Sequence, residues 1–406
     1  MTIDPVADVL VIGCGPAGSA LALRLARAGH CVAVLDRARF PREKPCSEYM
    51  SPETVRQLHA LGVLPTLDDA GGAALVGTQV CGPLGSRLVG RFARAGGTPF
   101  RGTGLGLPRR VLDAVLLTAA RNAGAVVMEE MTAQQLLRDD NGAVAGVQAR
   151  DSDGVSRELR ARVVVGADGL GSIVARRAGL HAQGRVRRIA FVAHVAGVER
   201  LSTTTELHVA RDGYVGINDL GGGIANVALV VPAAAAPLAR GDAHGFFRQR
   251  MAAMPAVRDR IDTDRLVRDV MVTGPFDAMC RRSTTDGALL VGDAADFFDP
   301  FTGEGICTAL RGAELAAEVL DDVLRQGGPI TDRRLRGYRA ARRHAFLGKW
   351  IVERLIGYGM LAPALFDRAV ARLERRGMAD TLIGVTGNFV SPWKVVNPVY
   401  LARMVL

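Results

Sequence analysis

At 406 residues, with 49% hydrophobic and 23% charged positions, the chain is long enough for two or three domains, or for one nucleotide-binding domain with large insertions. That balance excludes disorder, and the net charge of +10 comes from arginines scattered over many segments, so no nucleic-acid partner is expected. The six cysteines, at 14, 31, 46, 81, 280 and 307, form no Cys-x-x-Cys and no metal-ligand spacing, and read as reduced thiols of a cytoplasmic protein without a metal site.

Asp8 to Asp36 is the organising stretch. Val9-Leu10-Val11-Ile12 reads as a buried strand, Gly13-Cys14-Gly15-Pro16-Ala17-Gly18 as a glycine turn, the alanine-rich run to Ala28 as a helix, and Cys31 to Asp36 as a second strand. Gly13 permits the tight turn, Gly15 lets backbone approach a pyrophosphate that a Cβ would block, and Gly18 brings helix and sheet together. The pyrophosphate then sits on unpaired N–H groups at the positive end of the helix, and Asp36 is placed to accept from ribose hydroxyls. Alone, the glycine spacing is weak; strand, helix and terminal acid together make it a dinucleotide signature. Because the first apolar segment is already this strand, no secretory leader is expected. Ile224 to Leu238, broken by Pro232 and Pro237, falls short of the roughly 18 apolar residues of a membrane span.

The stretch from Arg37 to Pro52 is a polar loop rich in proline. Its charges, among them Arg37, Arg42, Lys44 and Glu48, lie close enough in sequence to the glycine turn to touch a bound dinucleotide; the alternative is a solvated surface loop. Ser51 as N-cap with Pro52 at the first position opens a helix that stops at Gly62. Short alternating pieces around residues 76–80 and 88–92 predict antiparallel strands, and Leu107 to Asn122 predicts an amphipathic helix. Strands are expected at 125–130, 142–149, 156–160 and 161–166.

Val163-Val164-Val165-Gly166 delivers Asp168 at the carboxyl end of a parallel strand, where open α/β sheets place ligand contacts. Residues 185–275 alternate again, with a helical insert from about Asp242 to Met254. His194, on one of these strands, reads as a satisfied polar group, not a catalyst. Leu289-Leu290-Val291-Gly292-Asp293 repeats the N-terminal design, with glycines at 303 and 305 ahead of a helix to Arg325. Beyond Thr331 the chain reads as helical, with an apolar tract from Trp350 to Phe366 and a tail closing the pocket or contacting a membrane or partner. The fold class is therefore α/β. Residues 1–73, 107–184 and 276–328 form a Rossmann-like nucleotide domain, residues 74–106 and 185–275 an interleaved, mostly antiparallel substrate domain, and residues 329–406 a C-terminal helical segment.

The glycine turn, Gly166-Ala167-Asp168-Gly169 and Gly292-Asp293, in that order, resemble the signature of the flavoprotein monooxygenase superfamily, which holds FAD as para-hydroxybenzoate hydroxylases do. The resemblance spans Asp8 to Arg325. It implies that the glycine turn and Asp36 hold the ADP half, that Asp293 takes a ribityl hydroxyl, and that Pro300, Gly303, Gly305 and Ile306 lie beside the isoalloxazine. Arg109, with Arg110 as the neighbour it could be confused with, matches a family arginine near the cofactor. Phe40 to Cys46 and Asp299 to Ile306 look most like the geranylgeranyl reductase and menaquinone reductase branch. Two departures stand out: Ser47 replaces the glycine that reductases carry after the cysteine, and the Tyr-x-Trp-x-Cys of archaeal-type prenyl reductases is missing. With tryptophan only at 350 and 393, the Trp-x-Trp-x-Ile-Pro of flavin halogenases is missing too, which disfavours halogenation.

With FAD carrying the redox step, the protein has only to orient and polarise. The resemblance favours a monooxygenase that hydroxylates a bulky apolar or aromatic small molecule through a flavin C4a-hydroperoxide. The alternative is a reductase of isoprenoid double bonds, with Cys46 as the proton donor or merely a packed thiol. A flavin-bearing binding protein without turnover is the third reading. No second glycine motif for a nicotinamide appears, so electrons are expected from NAD(P)H at a transient surface or from a partner reductase. On this reading Asp293→Ala weakens flavin retention, measured as visible absorbance of the purified protein, while Cys46→Ser leaves the colour and changes only turnover.

Overall fold

The apolar strand runs meet at the centre of one sheet. In the computed structural model, which describes residues 7–405, Ala7–Ile12 lies between Ser156–Gly166 and Val32–Leu35, with Ala288–Leu290 beyond the first and Val126–Met128 beyond the second, all parallel. Parallel strands are buried on both faces, which is why these segments read as near-continuous apolar runs. Val9, Val11, Val34, Val163 and Val165 face helices Pro16–Arg27, Arg109–Asn122 and Gly305–Arg325. Leu10, Ile12, Ala33, Leu35 and Val164 face the opposite way, onto Val144, Val147 and Leu159.

The two strands expected at 156–160 and 161–166 are one strand of 11 residues. Its first half pairs antiparallel with Val144–Arg150 and its second half parallel with Ala7–Ile12. The change from alternating charges to a valine run is the change from a strand covered on one side to one covered on both. A strand at Thr132–Arg138, which the sequence does not signal, pairs with Val144–Arg150; its side chains are only half-buried, so no apolar alternation marks it.

The second sheet has seven strands, in the order Leu266–Thr273, Arg188–Ala196, Ile224–Pro232, Gly213–Asp219, Thr204–Ala210, Gly77–Cys81, Arg87–Arg91. Every pair is antiparallel except Thr204–Ala210 with Gly77–Cys81. Helix Ala243–Ala252 covers one face through Phe246, Phe247 and Met251. The other face packs Val80, Val192 and Tyr214 against Tyr49, Phe301 and the C-terminal helices.

Those helices are Arg336–Gly359, Pro363–Arg375, Ala379–Thr386 and Pro398–Val405. The apolar tract Trp350–Phe366 is thus interrupted: one helix ends at Gly359 and Pro363 opens the next, since proline lacks the N–H that a continuing helix requires. Among the described residues no helix is long and apolar enough to cross a membrane. Asp299 fastens the second sheet to the turn before helix Gly305–Arg325, accepting from Arg188 Nη1 at 2.5 Å and Tyr214 Oη at 2.8 Å. Leu23→Ala and Leu310→Ala, in the core between sheet and helices, should each cost about 2–5 kcal/mol in urea unfolding, whereas half-exposed Val155→Ala should stay within about 0.5 kcal/mol.

Candidate active site

Three loops far apart in sequence meet at the carboxyl ends of the parallel strands. Gly13, with φ +104°, passes so close to the end of strand Ser156–Gly166 that a Cβ there would lie 2.5 Å from the Ala167 carbonyl oxygen. A Cβ at Gly292 would come within 3.0 Å of Ala17, so the Gly-Asp turn leans on the first helix. At Gly15 the space is open instead, and the nearest atoms a Cβ would meet are the guanidinium ends of Arg42, 3.7 Å away, and Arg109, 3.8 Å away. Gly18 shows the close packing expected of it: its Cβ would fall 1.9 Å from the Gly13 carbonyl oxygen. The turn therefore offers a bare backbone cradle at the start of helix Pro16–Arg27, faced by cations.

Asp36 closes this cradle. Its carboxylate accepts the Cys14 N–H at 2.7 Å and the Ala38 N–H at 2.9 Å, leaving one lone pair on each oxygen for a further donor. Arg37 beside it is exposed. Asp168 follows Gly166 and accepts the Ile173 N–H at 2.6 Å through Oδ2, while its Oδ1 is buried without a partner. Burial raises its pKa, against the opposing pull of Ser172 and nearby N–H groups.

A wall of positive charge faces Gly15. Arg109, which is buried, holds Asp113 through two bonds of 2.8 Å, and Arg42 lies 3.0 Å from the same carboxylate. Arg110 instead turns to the surface, 3.9 Å from Glu43, whereas the Arg109 guanidinium end faces Gly15. Lys44 has no carboxylate within ion-pair distance among the described residues. Burial lowers its pKa, and the nearby charges of Arg42 and Arg109 lower it further, with Asp293 pulling the other way. Two arginines sharing one buried aspartate, with Lys44 near both, leave an excess of positive charge of the kind a pyrophosphate requires.

Glu48 does not reach toward that site, as its place in the charged loop suggested. It is fully buried with φ 57°, and its carboxylate accepts the Arg109 N–H at 2.7 Å, Asn226 Nδ2 at 2.7 Å and His194 Nε2 at 2.5 Å. Burial by itself would raise this carboxyl, but His194, the Arg109 N–H and Arg268 outweigh it and hold the pKa below the ordinary value. His194 is thus a bonded polar group. Asn226 also donates to the Cys46 carbonyl and Asn218 to the Ser47 carbonyl, both at 2.8 Å, so the second sheet fixes this loop. The Cys46 sulfur accepts the Glu48 N–H at 3.4 Å and lies within reach of the Arg109 guanidinium.

The Gly-Asp turn completes the site. Burial pushes the Asp293 carboxyl up to about 6, although Lys44 and Arg109 pull it down. Pro300 begins a short turn capped by Asp299 and ended by Gly303, whose φ of +71° and close approach to the Tyr49 ring demand glycine. Gly305 opens the helix to Arg325, while the Ile306 side chain points into the core, so only its backbone remains for a ligand. Asp293, Asp296, Phe297, Phe298, Gly305, Thr308 and Lys349 line a cleft here. Sequence reasoning missed Glu304, Lys349 and Asn388. The only signal for Glu304 was an acid between two glycines; Lys349 arrives from a helix and Asn388 from the turn after another, and no local pattern encodes their docking.

Comparison with known proteins gives a consistent picture. A family model described as "FAD binding domain" matches residues 6–348. A digeranylgeranylglycerophospholipid reductase of Methanopyrus kandleri is 33% identical over 330 residues, covering 79% of this chain and 78% of the relative. A menaquinone reductase of Mycobacterium tuberculosis is 31% identical over 378 residues, 86% of this chain and 85% of the relative. Among solved structures, a flavoprotein/dehydrogenase from Cytophaga hutchinsonii superposes with a TM-score of 0.84 at 18% identity, covering 98% of this chain and 96% of that one.

The residues fit FAD. The open cradle at Gly15, with the Arg42 and Arg109 guanidinium ends facing it and Lys44 in no ion pair among the described residues, suits a pyrophosphate, and the orphaned Asp168 Oδ1 leaves an acceptor for a ligand hydroxyl. Glu48→Gln, which removes the charge bonded to His194, should cost about 3–5 kcal/mol. Because the folded-state pKa of Glu48 lies below the ordinary value, its contribution is present above the normal carboxylate range and is lost as pH falls through the folded pKa. Urea titrations at descending pH should show the wild-type advantage over the variant shrinking.

Proposed function

As a member of the FAD binding domain family this chain is an FAD-dependent oxidoreductase, and within that class we propose that it reduces carbon–carbon double bonds in a long apolar, isoprenoid-like molecule. The observation that carries the reading is an apolar rim beside the cleft. Phe298 lines the cleft and packs on Tyr358 at 6.0 Å between ring centres. Tyr358, Leu355, Leu361 and Leu365, on the end of one C-terminal helix and the start of the next, are each about half exposed or more. Such a surface suits a substrate that is itself a hydrocarbon chain. The reductase names of relatives 31–33% identical over most of this chain support the same choice.

When bound, FAD supplies the hydride chemistry. The Gly13–Gly18 turn, Arg42, Lys44 and Arg109 would hold its pyrophosphate, and Asp36 its ribose. Asp293 and the backbone from Pro300 to Gly305 would bound the ring, and the N-terminus of helix Gly305–Arg325 favours negative charge there. Electrons come from NAD(P)H or from a partner reductase. The exposed rim, with Arg368 beside Leu365 and a net charge of +10, fits a peripheral contact with an anionic lipid surface from which the substrate is drawn.

Hydroxylation, which the sequence resemblance favours, rests on the cofactor class alone. The two reactions part on oxygen. Under anaerobic conditions the chemically reduced protein should convert geranylgeraniol or a menaquinone to a product heavier by two hydrogen atoms, read by mass spectrometry. A product carrying one added oxygen atom, formed only with air, would reverse the choice.

A further inference from the structure

The acid between the two glycines of the last turn has no place yet in this chemistry. Glu304 is 2% exposed. Its Oε2 accepts from Asn388 Nδ2 at 2.8 Å and from Ser51 Oγ at 3.1 Å. Its Oε1 is buried with no hydrogen-bond partner, and no cation pairs with the carboxyl among the described residues. Three neighbouring acids are each held by a cation: Asp113 by Arg109, Asp299 by Arg188 and Glu353 by Lys349. Thr302, Gly305 and Thr308, on either side of Glu304, line the cleft, and Thr308 Oγ1 donates to the Glu304 carbonyl at 2.9 Å. The protein thus keeps an unbonded carboxyl oxygen on a residue whose chain neighbours line the cleft, at the desolvation cost such an atom carries.

We propose that Glu304 is the proton donor for the double-bond reduction inferred above, acting through its free Oε1; the assignment rests on that reading. In the step, the π bond breaks and two C–H bonds form. One carbon receives a hydride and its electron pair from the reduced flavin, the other a proton from Glu304. The carboxylate left behind keeps the hydrogen bonds of Ser51 and Asn388 until water returns a proton.

The surroundings keep that proton available. Burial pushes the Glu304 carboxyl up to about 8, against Asn388, Lys349, Ser51 and Cys307, which favour the charged form. The groups facing it come from four elements: Tyr49 and Ser51 from the charged loop and its cap, Cys307 from its own helix, Lys349 from helix Arg336–Gly359, and Asn388 from the C-terminal segment. Lys349 is paired with Glu353 and acts on Glu304 only through its charge, without a bond to it. Cys46, the sequence's candidate for this acid, has its sulfur engaged as an acceptor.

The test compares the FAD-loaded wild type with Glu304→Gln and Glu304→Asp. All three should take up FAD with the same visible spectrum. After reduction by dithionite, single-turnover saturation of geranylgeraniol should slow about 100-fold or more in Glu304→Gln. Glu304→Asp should recover part of that loss. The wild-type rate should fall as pH rises past about 8, a decline the Gln variant lacks. A second readout needs no substrate. Between about pH 4.5 and about pH 8 the folded wild type holds a proton that the unfolded chain has released, so its stability falls as pH rises, and Glu304→Gln should flatten that slope. Wild-type turnover in Glu304→Gln, or an unchanged stability slope, overturns the assignment and leaves the reductase reading standing. A wild type that saturates no prenyl chain, with the stability slope present, overturns the reductase reading and the step built on it.

Discussion

The architecture of the site depends on one buried carboxylate. Glu48 sits in a charged loop yet turns inward with a positive φ, and there it takes donors from three separate parts of the chain: the N–H that starts helix Arg109–Asn122, His194 on one strand of the second sheet and Asn226 on the next. An ionised group with no access to water is tolerable only when its lone pairs are filled. Filling them fixes the loop that carries Cys46 and Ser47 against both halves of the molecule. Asp299 repeats the device on the other side, tying Arg188 and Tyr214 to the turn that holds Gly303. Two buried acids, each shared between sheet and loop, set where the active-site loops stand.

Once those loops are fixed, electrostatics does the selecting. Arg42 and Arg109 converge on a bare glycine backbone at a helix N-terminus with Lys44 near both, and Asp113 compensates only part of their charge. Burial first, and then the like charges of Arg42 and Arg109, depress Lys44, so an anionic ligand there relieves part of that cost. A dinucleotide therefore stabilises the fold as well as occupying it.

The acids nearer the cleft behave differently because their partners differ. Asp293 lies deep but feels Lys44 and Arg109, and its carboxyl settles at about 6. Glu304 is as deep, has only hydrogen bonds from neutral side chains and a lysine already engaged, and rises to about 8. Depth alone does not decide the protonation of a buried acid; the nearest uncommitted cation does.

Much of this was legible in the sequence. The glycine turn, Asp36, Asp168 and the Gly-Asp at 293 announced themselves because a strand end, a tight turn and a helix start are local events, written in neighbouring residues. The α/β class followed from valine runs, whose burial on both faces leaves no alternation. Tertiary structure decided what depends on partners distant in the chain. It turned Glu48 from a ligand contact into an internal anchor, separated Arg109 from Arg110, sent the Ile306 side chain into the core, and brought Asn388 and Ser51 onto Glu304 across separations of 84 and 253 residues. Local pattern sets backbone conformation, whereas the partner that fills a buried lone pair is chosen by packing. For that reason the cradle could be read from the letters, and the acid beside it could not.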